Sequence, residues 1–471
     1  MLELAKNEKF NDVQAFIDSL KTLSFFEHGK ELFISRAPGR LDVMGGIADY
    51  SGSLMLEMPI REATKAALQK TENQTIEIIS EDGGEVLKFS MPLNDFFENG
   101  EPINYENARN YFNQDAESHW AAYICGVFLV LAREKGVTFN EGVKFYISSE
   151  IPLGKGVSSS AALEVAVMQA VCGAFGIEID SREKAILCQK VENLVVGAAC
   201  GVMDQMSVMF GKENQLFSLL CQPAEIQGWV KIPEEIEFWG IDSGVRHAVV
   251  GADYSSVRIG AFMGYRIICE LAGFNVKSTE NNGLVEIDDS KWSGFLCNIM
   301  PSEFEQFYAA NLPNEILGSE FLEKYQGTTD SVTAINSDKI YAIKTPTAHA
   351  IYENFRVKTF GEILKSATPN LKLLGELMSQ AHASYSACGL GESGTNRIVE
   401  LVREDNGVNL FGAKITGGGS GGTVAVLAKK GSEKVVEKLA ERYASETGKT
   451  PYIFKGSSNG SDAFGVLKIT L

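Results

Sequence analysis

The chain has 471 residues, 45% hydrophobic and 22% charged, with 46 Gly and 12 Pro; that leaves room for two or more domains at roughly 100–200 residues each and excludes disordered, collagen-like and coiled-coil classes. Lys and Arg number 43 against 61 Asp and Glu, a net charge of −18, and a field of that sign repels phosphate backbones and anionic headgroups, so neither nucleic acid nor membrane is an expected partner. The eight cysteines form no CxxC pair, which argues for buried reduced thiols over zinc. With a charged start, MLELAKNEKFNDVQ, and a longest apolar run of only Ala121 to Ala132, a reducing, cytoplasmic compartment is expected.

The N-terminal stretch reads as an amphipathic helix leading into a β run, Glu31 to Ser35, closed by a Gly- and Pro-punctuated loop from Arg36-Ala37-Pro38-Gly39. Thr75 to Ile79 and Val86 to Phe89 alternate around an Glu81-Asp82-Gly83-Gly84 turn, and residues 118–134 return to helical periodicity. Val143 to Ser148 reads as a strand. A Gly/Ser loop follows, then a helix to about Phe175, then a second helix opened by an Asp180/Glu183 capping box and running to about Val196. Pro223 to Pro233 is the candidate crossover between domains, and Phe238 to Ser243 a buried strand. Residues 275–345 are acidic and irregular, as an insertion would be. Helical patterns near 371–388 and 431–446 flank Thr416 to Gly422, after which Thr423 to Leu427 reads as a strand.

Three glycine patterns are decoys. Gly417, Gly419 and Gly422 spell GxGxxG, but too little chain follows for a dinucleotide fold. Gly418, Ser420 and Gly422 spell a nucleophile elbow, yet the last histidine, His382, precedes the serine, whereas in that fold it follows. Gly448-Lys449-Thr450 ends like a Walker loop, but Tyr443 stands where its first glycine belongs. Pro152-Leu-Gly-Lys-Gly-Val-Ser-Ser-Ser-Ala-Ala-Leu-Glu164 is different: glycines let backbone approach an anion, hydroxyls donate to it, and a helix N-terminus follows.

Three stretches, in order, resemble the motifs of the GHMP small-molecule kinases: Arg36-Ala-Pro-Gly-Arg-Leu-Asp-Val-Met-Gly-Gly-Ile-Ala-Asp-Tyr50, which looks like the galactokinase signature; the phosphate loop Pro152 to Ala162; and Gly412 to Gly422. Within the group, Gly46-Ile47-Ala48-Asp49-Tyr50, Gly240 to His247 and Ile351 to Thr359 look most like L-arabinokinases. The resemblance implies an α+β two-domain GHMP kinase fold. An N-terminal ribosomal-protein-S5-domain-2-like α/β domain would span 1–230 and a C-terminal ferredoxin-like α+β domain 231–471, the insertion near 275–345 included, with the active site in the cleft between them.

It also implies ATP and a sugar as ligands, Mg2+ as cofactor, and a role for each matching residue. Asp204 and Arg40 would be catalytic, Arg40 stabilising the developing charge and Asp204, beside it, acting as a weak proton acceptor that partly orients the substrate. Arg40, Gly46, Ile47, Asp49, Gly201, Asp204 and Tyr254 would hold the sugar, and Gly154, Lys155, Gly156, Val157, Ser158, Ser159, Ser160 and Ala161 the phosphates. Trp120 and Tyr123 would wall the adenine, and Ser160 and Glu192 would bind the metal. Glu192 also reads as a carboxylate on an apolar helical stripe, which needs a partner, either a metal or a residue such as Lys190, unless it sits at the helix edge.

Galactokinases carry Glu-His where this chain has Gly46-Ile47. Losing those polar partners and gaining an alkyl group should favour a sugar without a hydroxymethyl arm. The expected reaction is phosphorylation of the anomeric hydroxyl of L-arabinose. Galactose and other aldoses are the alternatives, and a uronate would draw on Arg246 or His247 for a cation. A non-catalytic sugar sensor would have a damaged phosphate loop, and Ser158 to Ala162 is complete.

Overall fold

A computed structural model describes residues 11–82, 85–245, 252–279 and 283–471. Helix α1 (Asn11–Leu20) buries Val13, Phe16 and Leu20 against the first sheet. Strand β1 (Glu31–Met44) runs straight through the segment expected to be a loop and pairs with β2 (Leu54–Thr71). Pro38, which lacks an N–H, and Gly39 are accommodated by a register shift between Pro38 and Arg40, the irregularity at which such residues are tolerated in a sheet. The shift frees the Arg40 N–H, which donates to the Val157 carbonyl at 3.1 Å. The break in the ladder thus ties the strand to the phosphate loop.

β3 (Thr75–Asp82) and β4 (Glu85–Pro92) form the expected hairpin, whose turn at Gly83-Gly84 lies outside the described residues. After α2 (Tyr105–Asn113) and α3 (Ala122–Lys135), β5 (Gly142–Ser149) leads through the Gly/Ser loop into α4 (Ser159–Phe175). Asp180 caps α5 (Ser181–Lys190), its carboxylate accepting from the Glu183 N–H at 2.9 Å. A wider π turn, Val191–Val196, then carries Glu192. Next come α6 (Met203–Phe210), β6 (Gln215–Leu220) and β7 (Glu225–Lys231). The supposed crossover at 223–233 is therefore mostly β7, hairpinned to β6, with Ile226 and Trp229 packed on the core between two flanking prolines.

The second sheet begins with β8 (Ile236–Asp242), and α7 (Ala252–Leu271), α8 (Lys344–Leu364), α9 (Leu371–Ala387) and α10 (Ser393–Glu404) follow. β9 (Leu410–Ile415), β10 (Thr423–Lys429), α11 (Glu433–Thr447) and β11 (Ile453–Lys455) complete it in the antiparallel order β9-β10-β8-β11. The last strand, β12 (Leu467–Thr470), returns to the edge of the first sheet beside β1, so the first layer takes one strand from beyond residue 231. That sheet reads β12-β1-β2-β5-β3-β4, with β6 and β7 extending from the start of β2.

The insertion is not irregular. It folds short strands (Val276–Ser278, Gly283–Ile287, Gly327–Thr328) and the pair Glu315–Leu317 with Ile340–Ala342 around Trp292, Phe304, Tyr308 and Phe321, a core continuous with Tyr265 of α7 and Ile351 of α8. Elements of two to five residues carry too little periodicity to be seen in sequence. All eight cysteines are free; six are buried, while Cys200 and Cys388 are half-buried. No helix among the described residues is long and apolar enough to cross a membrane.

Candidate active site

β1, the Gly/Ser loop before α4, the α5–α6 connection and the glycine turn after β9 converge on one cavity. Of the residues singled out in sequence, Arg40, Ile47, Asp49, Tyr123, Gly154, Gly156, Ser158, Ser159, Ser160, Glu192, Gly201, Asp204 and Tyr254 line it.

At its centre Arg40 is buried and donates to Asp204 Oδ1 through Nε at 3.0 Å and Nη2 at 2.8 Å, while Nη1 donates to the Gly156 carbonyl at 2.8 Å. Glu57, buried on β2, lies 3.2 Å from Arg40 Nε. Burial works against the Arg40 charge, but Asp204, Glu57 and Asp42 outweigh it and hold its pKa above the ordinary value. Burial likewise drives Glu57 well above the usual carboxylate range, with the Asp42 charge adding to it and the Arg40 charge opposing. Beneath this pair, fully buried Lys414 donates to Asp42 Oδ2 at 2.8 Å, and the Asp42 N–H donates to Thr416 Oγ1 at 2.7 Å. The second glycine motif thereby bolts to the first.

The phosphate loop is clamped from both sides. Lys155 does not line the cavity: its ammonium sits 2.6 Å from Asp242 and its carbonyl accepts from Thr423 Oγ1 at 2.8 Å. Val157 contributes only the carbonyl that receives the Arg40 N–H, and Ala161 is core. A Cβ at Gly422 would come 2.7 Å from the Lys155 carbonyl, and one at Gly417 would come 2.8 Å from the Gly156 carbonyl; both glycines are there so that the two loops can press together. Ser158, at the N-cap of α4 with φ 62° and ψ 46°, has a buried Oγ without a hydrogen-bond partner among the described residues. A non-glycine residue in the left-handed region is strained, and an orphaned buried hydroxyl at a helix N-terminus suits an anion.

Glu192 accepts from Gln205 Nε2 at 2.7 Å, and Ser160 lies beside it in the cavity wall. Burial and then the Asp204 charge push Glu192 up to about 7, opposed by the neighbouring Ser160, Cys200 and Gln205 side chains. Glu164, fully buried behind the cavity wall, shares the same amide at 3.2 Å, and its Oε1 has no hydrogen-bond partner among the described residues. A hydroxyl and a carboxylate are hard oxygen donors, which fits Mg2+ binding completed by phosphates and water; among the described residues no three His, Cys, Asp or Glu converge into a metal cage.

Two of the expected contacts are not among the residues that line this cavity. Trp120 does not line the cavity; it packs edge-on to Phe89 with centroids 6.5 Å apart, leaving Tyr123 alone at the wall. Gly46 does not line it either: a Cβ there would collide with Tyr385 Oη and Asp42 Oδ2, so position 46 faces the structural core and only Ile47 faces the cavity. Ile47 is 2% exposed and sits at φ 54°, a genuine outlier for a β-branched residue. Asp49 is pushed up to about 6 by burial and then by Asp204, with Arg258 opposing. Arg246 and His247 lie outside the described residues.

A model of the GHMP kinase N-terminal domain matches residues 122–212 and one of the GHMP kinase C-terminal domain residues 362–445, so the chain carries both GHMP kinase domains. It is 47% identical, over 94% of its length, to the L-arabinokinase of Arabidopsis thaliana, and spans about half (47%) of that relative. Among solved structures it resembles Lactococcus lactis galactokinase complexed with galactose (TM-score 0.72, 20% identity, 97% of this chain and 100% of that one). It also resembles Methanococcus jannaschii mevalonate kinase (TM-score 0.53, 16% identity, 90% and 98%). At those identities the two structures speak for the fold.

Proposed function

We propose that the chain is an ATP-dependent sugar 1-kinase that phosphorylates the anomeric hydroxyl of L-arabinose, giving β-L-arabinose 1-phosphate and ADP. The observation that carries this reading is the Arg40–Asp204 pair, set in one cavity between a phosphate loop at a helix N-terminus and a pocket walled by Ile47, Asp49 and Tyr254. Phosphoryl transfer asks a protein mainly for positioning and neutralisation. Arg40 neutralises charge at the transferred group, while Asp204 orients the sugar hydroxyl and accepts its proton. The amides and hydroxyls of Ser158 to Ser160 hold the phosphates, and Tyr123 is left to face the base. Mg2+, held through Ser160 and Glu192, would supply charge neutralisation on the phosphates.

Ile47 is the support for a pentose. Its branched side chain offers no hydrogen bond, and a site of that kind disfavours a sugar bearing an extra hydroxymethyl arm. The relative named L-arabinokinase agrees with this choice. A coupled ADP-release assay across L-arabinose, D-galactose, D-galacturonate, D-glucuronate and N-acetylgalactosamine tests it. L-Arabinose should give the highest kcat/KM, and preference for any other sugar overturns the substrate assignment.

A further inference from the structure

Among the described residues the insertion contributes none to the cavity lining, yet one of its side chains is wired to the cavity wall. Asp330, 4% exposed, accepts both Arg258 Nε at 2.8 Å and Nη2 at 2.7 Å. The remaining nitrogen, Nη1, donates to the Cys200 carbonyl at 3.1 Å. The next residue is Gly201, where any Cβ would collide with the Asp49 carboxylate, so the Cys200–Gly201 backbone is the surface on which Asp49 rests. Arg258 also stacks over Tyr50, with 5.4 Å to the ring centroid, and Tyr50 meets Tyr254 edge-on at 6.0 Å. The guanidinium therefore supports the sugar end of the cavity twice, through the floor under Asp49 and through the ring behind Tyr254.

The geometry points to Arg258 as a positioning residue for the sugar pocket, aimed by Asp330, so that the folded state of the insertion sets sugar affinity. The inference rests on the sugar-kinase reading above and extends it to the insertion. A planar guanidinium is required because one group must satisfy a carboxylate bidentately and a carbonyl at the same time, which an ammonium cannot do. Asp330 is itself fixed by Thr333 Oγ1, donating at 2.6 Å, and by the Val332 N–H at 3.0 Å. Its direction is thus dictated by the insertion's own backbone.

A second arginine provides the control. Arg266, also on α7 and buried, donates to the Tyr325 carbonyl of the insertion at 3.2 Å and stacks over that ring, but makes no hydrogen bond to the Cys200 segment. Asp330→Asn and Arg258→Lys should each raise the sugar KM by about 5- to 30-fold, the scale of coupling through such networks. The ATP KM and kcat should stay within about twofold. Arg266→Leu should lower the melting temperature without moving the sugar KM. Thr333→Val, a milder loosening of Asp330, should raise the sugar KM in the same direction and serves if Asp330→Asn does not fold. An unchanged sugar KM in the Asp330 or Thr333 variants, a rise shared equally by the ATP KM, or an equal rise in Arg266→Leu overturns the inference while leaving the kinase reading intact. Absence of ADP release by the wild type with every aldose overturns that reading and this inference with it.

Discussion

Arg40 contacts Asp204 through two nitrogens on a single oxygen, Nε and Nη2 both donating to Oδ1. Among the described residues no hydrogen bond reaches Oδ2, and Asp204 borders the cavity. One oxygen is thus committed to holding the carboxylate and the other is left for substrate. Asp204→Asn should lower kcat on the order of 10²-fold or more, with a melting temperature close to wild type, because Glu57 still lies beside Arg40. Unchanged turnover in the ADP-release assay would remove Asp204 from the chemistry.

The raised pKa of Asp49 makes a signed prediction. Its folded value of about 6 lies above the ordinary aspartate value of 3.8, so folding favours its protonated form. Its contribution to stability is fully present below about pH 4 and is lost as pH rises through 6. Sugar binding runs the other way, because only the ionised carboxylate accepts from two hydroxyls. The sugar KM should climb as pH falls below about 6, while Asp49→Asn should bind weakly at every pH with no such inflection. Besides burial, the groups acting on Asp49 are Asp204 and Asp42, which raise its pKa, and Arg258 and the Tyr50 N–H, which lower it. A wild-type sugar KM that is flat from pH 5 to 8 contradicts this account.

The two glycine clusters and the Asp180 cap were legible because each has a local cause: a φ, a close approach, a side chain returning to its own backbone. The supports of the site were not. Glu57 and Tyr385 have no spacing relation to Arg40 and Asp42; they meet only through strand pairing and helix packing across distant sequence. Arg258 and Asp330 are separated by 72 positions and carry no motif. Gly46 is the opposite case. Its place in the motif suggested a sugar contact, whereas the close approach of Tyr385 Oη explains the missing side chain as packing.

The ion pair of Lys414 with Asp42 is entirely buried, and removing one partner strands the other's charge. Lys414→Met should destabilise the fold by about 3–5 kcal/mol, read as a lower denaturation midpoint. Adding Asp42→Asn should recover part of that loss by neutralising the orphan. Additive effects in the double variant would mean that the pair is not coupled, despite its 2.8 Å separation.

Positions 46 and 47, adjacent in sequence, should respond oppositely. Gly46→Ala drives a methyl into Tyr385 Oη and Asp42, an overpacking that costs about 1–3 kcal/mol, and Tyr385→Phe in the same chain should relieve it. Sugar preference should be unaffected where the variant folds. Ile47→Ala instead enlarges the cavity and replaces a β-branched side chain held at φ 54°, so its stability cost should be small. Opening that wall should improve kcat/KM for D-galactose relative to L-arabinose by about 10-fold or more, the discrimination expected of a small apolar volume. If Ile47→Ala leaves the ratio of the two sugars unchanged, Ile47 is not what excludes the hydroxymethyl arm, and the pentose preference must be sought among Asp49, Tyr254 and the segment around residue 246.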